Sequence, residues 1–224
     1  MEQEQHIVSI LAIRDVTHDV RAYKLEKPAG YSFVPGQATD VAINKEGWRE
    51  EKHPFTFTSL NEYPYLEFTI KSYLDHHGVT NELYTLKAGD QLILHDVWGA
   101  IAYNGPGYFI AGGAGITPFI AILRQLHKDK AIGQNQLFFS NKTPADIIYH
   151  EELHTILGHN AHYLLTKEDN PAYLKGPIDK TFLQREIKDF SRPFYVCGPD
   201  QMVKDLTRIL GELGAKPDSV VFEK

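Results

Sequence analysis

The chain has 224 residues, 42% of them hydrophobic and 23% charged, with a formal net charge of −6. That length allows one large domain or two ordinary ones with a real core, and the acidic balance lacks the general positive field that non-specific nucleic-acid binding needs. A single cysteine excludes an internal disulfide, a four-cysteine zinc site and a self-contained iron–sulfur cluster.

At the start of the chain, Met1 to Gln5 is acidic and the apolar run that follows is interrupted by Ser9 and stopped by Arg14. This is not the pattern of a signal peptide. The longest weakly polar stretch, 108–123, contains Gly112, Gly113, Gly115, Thr117 and Pro118, and it is shorter than the roughly 20 residues of a membrane helix. No membrane span, no nucleic-acid partner and a cytoplasmic location are expected.

Residues 7–14, 20–26, 39–43, 53–59, 65–72 and 91–96 are short β-rich runs separated by turn signals such as Pro35-Gly36 and Ala88-Gly89-Asp90. Six strands at this spacing predict a small antiparallel barrel. The texture changes at Asn104-Gly105-Pro106-Gly107, which places a domain boundary between 1–104 and 105–224. Beyond it, runs at 108–111, 136–140, 162–165, 194–196 and 220–222 alternate with helical patterns, the signature of a doubly wound parallel sheet. Thr143-Pro144 with Asp146 predicts one helix start through a hydroxyl cap, a first-turn proline and an acid. Met202, Val203, Leu206, Ile209, Leu210 and Leu213 mark one face of the last helix.

Three segments carry chemistry. Gly112-Gly113-Ala114-Gly115-Ile116-Thr117-Pro118 follows the first strand of the second half and opens a helix. Its glycines allow a tight turn and close approach of backbone amides to an anion at the positive end of the helix dipole. Cys197-Gly198-Pro199-Asp200-Gln201-Met202 repeats the strand–turn–helix layout at the C-terminal edge of the same sheet, where ligands bind in open α/β folds. In the first half, His53-Pro54-Phe55-Thr56, then Ile70-Lys71-Ser72-Tyr73, then Gly78-Val79-Thr80 at a helix start combine aromatics, hydroxyls and a cation that suit a planar ring and a phosphate.

In this order the motifs resemble the ferredoxin–NADP reductase family, including flavodoxin reductases and the flavin modules of cytochrome b5 reductases. The resemblance implies an FAD-binding β-barrel followed by an NAD(P)-binding α/β domain, with hydride passing from NADPH or NADH to the flavin. Electrons then go to a small carrier protein: a flavodoxin, a ferredoxin or an oxygenase component. By the same resemblance His53, Pro54, Phe55, Thr56, Ile70, Lys71, Tyr73, Gly78, Val79 and Thr80 contact FAD, with His53 where relatives carry a phosphate-binding Arg and Thr56 near flavin N5. Gly112, Gly113, Gly115, Thr117 and Pro118 hold the nicotinamide dinucleotide's pyrophosphate. Cys197, Gly198, Pro199, Asp200 and Met202 lie beside the nicotinamide, and Glu223 corresponds to a C-terminal acid near the reacting atoms. Ser140 and Lys142, with no acid after the second strand of the nucleotide unit, leave the choice between NADPH and NADH open.

Two other readings compete. His150-Glu151-Glu152-Leu153-His154 fits the H-E-x-x-H pattern of zinc hydrolases, although Leu157 and Asn160 stand where the longer protease pattern needs Gly and His. A non-catalytic flavin- or nucleotide-binding module would keep the fold without the reaction. No metal is expected in the preferred reading.

Overall fold

A computed structural model describes residues 5–73, 78–99, 101–216 and 220–222. The first half forms strands β1 (His6–Asp15), β2 (Val20–Glu26), β3 (Gln37–Ile43), β4 (His53–Thr56), β5 (Tyr65–Lys71) and β6 (Gln91–Gly99), with the short helix α1 (Val79–Thr85) before β6. They make one antiparallel sheet in the order β4-β3-β6-β1-β2-β5. Its two edges approach through an antiparallel bridge between Phe57 and Phe68 and a 2.8 Å bond from the Thr58 amide to the Glu67 carbonyl. The interior is packed by Tyr23, Leu25, Phe57, Phe68, Ile70 and Leu94, among others. Phe33 stacks on Phe57 at 4.1 Å between ring centres.

The second half forms β7 (Tyr108–Gly112), α2 (Thr117–Lys128), β8 (Gln136–Asn141), α3 (His150–Leu157), β9 (Ala161–Leu165), β10 (Leu174–Lys175), α4 (Lys180–Glu186), β11 (Phe194–Cys197), α5 (Asp200–Glu212) and β12 (Val220–Phe222). All pairs in this sheet are parallel, in the order β10-β9-β8-β7-β11-β12. Side chains alternate between the two faces of each strand. Phe109, Ala111 and Phe139 therefore join α2 and α3 in one core, while Tyr108, Ile110 and Phe138 join α4 and α5 in another. The face predicted for the last helix is the one α5 buries: Leu206, Ile209 and Leu210 are buried, with Met202, Val203 and Leu213 packed beside them. Val20 from β2 and Ile101 sit in the same cluster as α2 and α3, so the two halves share apolar surface.

One expected element differs. Thr143-Pro144-Ala145-Asp146 makes a single 3₁₀ turn rather than the start of a long helix. The Asp146 carboxylate accepts from the Thr143 amide at 2.8 Å and its hydroxyl at 2.7 Å, which closes the turn on itself. Ile147 then turns extended (φ −75°, ψ 104°), and both Ile147 and Ile148 are buried. Helix resumes at His150 only after Tyr149 adopts a left-handed conformation at φ 53°.

Candidate functional site

The chain leaves β7 toward β8 on one side and returns to β11 on the other, so sheet order reverses between β7 and β11. Loops at such a reversal splay apart and leave a crevice beyond the strand ends. Both glycine turns lie there. A side chain on Gly112 would meet Met202 Sδ at 2.5 Å and Pro199 Cδ at 3.0 Å, and one on Gly115 would strike the Cys197 carbonyl oxygen at 2.3 Å. The first turn therefore nests against the second through bare backbone. Gly113 is different: it takes φ +53° and nothing lies within 4 Å of where its side chain would be. It faces open space at the mouth of α2, where Pro118 occupies the first turn and the Thr117 hydroxyl donates to the Ala114 carbonyl at 3.0 Å.

This crevice opens into a cleft of about 660 Å³ whose far wall is the barrel. Pro54, Phe55, Thr56, Lys71 and Tyr73 line it from the barrel; Gly112, Gly113, Gly115, Thr117, Ser140, Lys142, Cys197, Gly198, Pro199, Asp200 and Met202 line it from the parallel sheet. Pro54 to Thr56, Lys71 and Tyr73 of the first half thus share one space with both glycine turns of the second. Cys197 ends β11, paired in register with Ala111, and is 6% exposed.

Other expected residues lie elsewhere. The Ile70 side chain is 2% exposed and packs in the barrel interior, because period-two alternation in β5 turns its neighbours outward instead. His53 is exposed at the start of β4 and does not line the cleft. Gly78, Val79 and Thr80 form the N-terminus of α1, which carries no side-chain cap; they too are outside the cleft lining, as is Pro118. Glu223 lies outside the described residues.

Cleft-lining residues not singled out from the sequence include Thr69, Asn141, Asp146 and Thr166. Thr69 was accessible to reasoning, since alternation places it on the same face of β5 as Lys71. Asp146 was recognisable only as a helix-start acid.

Lys71 does not enter the cleft as an unpaired cation. Its ammonium lies 2.9 Å from Asp19 Oδ2, with both side chains about one-fifth exposed. Burial alone would raise the Asp19 carboxyl, but hydrogen bonding and charge from Lys71, with help from Thr17 and His18, outweigh it and hold the carboxyl below its ordinary value. A carboxyl depressed in the folded state adds stability above its unfolded pKa, and that contribution is lost as pH falls through the folded value. The urea stability difference between wild type and Asp19→Asn is therefore expected to be level from about pH 5 to 7 and to shrink below about pH 4. A difference that stays level down to pH 3 contradicts this pairing.

The H-E-x-x-H stretch does lie on α3, but its groups face other partners. The His150 ring packs edge-on against Tyr163 at 4.6 Å, and Glu151, with its side chain 94% exposed, reaches back to His150 at 3.3 Å. Among the described residues, no three His, Cys, Asp or Glu side chains gather as a metal site, and no helix is long and apolar enough to cross a membrane.

Comparison with known proteins agrees with the fold and the motifs. The family model for an oxidoreductase NAD-binding domain matches residues 109–208. The chain is 27% identical to the reductase component of propane 2-monooxygenase from Rhodococcus jostii, over 96% of this chain and 62% of that one. It is 30% identical to NADH-cytochrome b5 reductase 1 from Aspergillus terreus, over 92% of this chain and 77% of that one. Its fold matches a ferredoxin NADP+ reductase from Neisseria gonorrhoeae, solved with FAD and NADP, at a TM-score of 0.82 and 21% identity over 95% and 93% of the two chains. The chain spans about three-fifths of the length of the oxygenase reductases it matches. On this sequence similarity, together with the barrel, the parallel sheet and the glycine turns at its switch point, the chain belongs to the ferredoxin–NADP reductase family of FAD- and NAD(P)-binding oxidoreductases.

Proposed function

We propose that this chain is an NAD(P)H-dependent flavoprotein reductase that passes electrons to a separate carrier or oxygenase component. The observation that carries the reading is the single cleft in which the barrel's Thr56 strand faces both glycine turns of the parallel sheet. In this reading residues 1–104 are the flavin domain and 105–224 the nicotinamide domain.

The residues suit the two cofactors. Gly113 offers an open, positive-φ backbone at the mouth of α2, where amides and dipole favour a pyrophosphate. On the cleft wall, the buried side-chain amide of Asn141 has no hydrogen-bond partner, a costly state that a polar ligand would relieve. FAD, when bound, supplies a ring that accepts two electrons as hydride and can release them singly.

The protein's own contribution is placement. Phe55 and Tyr73 offer aromatic surface to a planar ring, and the Thr56 hydroxyl, on a residue only 5% exposed, offers a fixed polar contact near it. On the opposite wall Cys197 and Met202 pack against a nicotinamide rather than react with it. Gly112, Gly115 and Gly198 allow the turns to close without side chains of their own between them, a compact wall that would hold a nicotinamide beside the flavin site and limit the entry of water. Gly78, Val79 and Thr80 hold the flavin phosphates through the uncapped start of α1. Pro118 fixes the start of α2, and Ser140 and Lys142 meet the adenosine end of the nucleotide. The chain is expected to purify yellow with about one FAD per polypeptide and to be bleached by NADPH or NADH without oxygen. Colourless protein with no affinity for added FAD overturns the proposal.

A further inference from the structure

Seven residues beyond Thr117, α2 sends one side chain away from the cleft and against the barrel wall. Arg124 Nη1 donates to the Thr58 carbonyl at 2.6 Å and to Glu67 Oε1 at 2.8 Å. Its Nε and Nη2 grip both oxygens of Glu152 on α3 at 2.6 and 2.9 Å. The Arg124 and Glu67 side chains are 14% and 15% exposed. Among the described residues, the other ion pairs between the halves are weaker: Lys128 with Glu62 is about half exposed on each side, and His18 with Asp146 is 3.9 Å apart. Exposed pairs of that kind contribute little, whereas a largely buried guanidinium gripped at two points by Glu152, itself 36% exposed, holds its remaining nitrogen toward Thr58 and Glu67 in an orientation that a flexible ammonium does not fix.

The partners of Arg124 are those that matter for geometry. Thr58 stands two residues after Thr56 on the same strand run. The Thr58 hydroxyl donates to Glu67 Oε1 at 3.0 Å and lies 3.1 Å from the hydroxyl of cleft-lining Thr69. Thr69 in turn lies 2.8 Å from the hydroxyl of Tyr149, the left-handed residue before α3, whose ring is 5.1 Å from the Arg124 guanidinium. Arg124 thus joins the helix that opens at the glycine turn to both strands that form the barrel wall of the cleft.

We propose that Arg124 is a positioning residue: held by its two-point grip on Glu152 in the second half, its Nη1 reaches across to Thr58 and Glu67 and sets the approach of the nicotinamide turn to the flavin strand. The inference rests on the reading of the cleft as the joint flavin and nicotinamide site. Burial alone would weaken the guanidinium's hold on its proton, but Glu152 and Glu67 outweigh it and keep the group charged. Removing the charge leaves two carboxylates facing one another, so a simple loss of stability must be separated from a loss of alignment. Neutralising all three groups does this.

The test compares wild type, Arg124→Met, and the triple variant Arg124→Met/Glu67→Gln/Glu152→Gln. In anaerobic stopped flow, both variants are expected to keep FAD content and NAD(P)H affinity within twofold, while the limiting rate of flavin reduction falls roughly 10- to 100-fold. The triple variant regains thermal stability relative to Arg124→Met but does not regain the rate. Calorimetry of the flavin-free chain reads the same coupling without any cofactor: one cooperative transition in wild type, two in the triple variant. If Arg124→Met does not fold, the triple variant decides. A limiting rate within twofold of wild type in the triple variant, or a single calorimetric transition there, overturns the proposal. A wild-type chain that binds no flavin overturns the underlying functional reading instead, and the calorimetry still decides the role of Arg124.

Discussion

Replacing Gly115 by alanine is expected to destabilise the protein by about 3 kcal/mol, the upper end of the usual cost of overpacking. The added methyl would sit 2.3 Å from the Cys197 carbonyl oxygen, 2.4 Å from its carbon and 2.5 Å from the Gly198 nitrogen. These are backbone atoms, and they are not at liberty to retreat: Cys197 is paired in register with Ala111 on the adjacent strand, with β11 buried along its length. Relief requires β7 and β11 to separate at the point where the cleft begins. Gly113→Ala provides the contrast. Its site is open to 4 Å, so the cost is the left-handed backbone conformation alone, about 1 kcal/mol. Urea unfolding of the two variants checks the comparison. A Gly115→Ala protein within 1 kcal/mol of wild type contradicts the close nesting of the two turns.

Gly113→Glu is expected to weaken NAD(P)H affinity by roughly 100-fold while leaving FAD content unchanged. The new carboxylate would stand at the N-terminal end of α2, in the open space that Gly113 leaves. Its charge would occupy the amides and the positive dipole end proposed to meet a phosphate, and would repel such a phosphate directly. A 100-fold change corresponds to about 2.7 kcal/mol, a plausible size for losing one dipole-assisted anion contact and adding a like charge. Equilibrium titration of the oxidised protein with each nucleotide gives the affinity, and the visible spectrum gives the flavin content. Unchanged nucleotide affinity contradicts the assignment of this turn. Loss of flavin with retained nucleotide binding would assign the turn to the flavin phosphates instead.

How much of this was legible in the sequence depended on how local the cause was. Strand β2 could be placed to the residue at Val20–Glu26, since alternation and flanking turns are properties of a few neighbouring residues. The glycine turns could be read because tight backbone approach requires a residue without a side chain, and their adjacency followed from parallel-sheet topology. The helix start at Thr143 misled because the same cap signals serve an isolated turn. Burial of Ile147 and Ile148 decided between the two outcomes, and burial depends on residues far along the chain. The same limit hid the environment of Lys71, whose partner Asp19 lies on a distant strand turn.

Arg124 shows the limit most clearly. In sequence it is a basic residue on a largely apolar helix that also carries Lys128, and a solvated role would be the ordinary expectation. Its partners Thr58, Glu67 and Glu152 are 66, 57 and 28 residues away, and no local pattern links them. Only the packing of the two halves reveals the contact.

The most direct measurement of the central claim is an anaerobic single-turnover experiment with NADPH or NADH deuterated at the transferred position. The expected result is bleaching of the bound flavin, slowed by the deuterium, followed by return of the oxidised spectrum when a one-electron acceptor protein is added. Bound flavin that is not bleached by either nucleotide would contradict it.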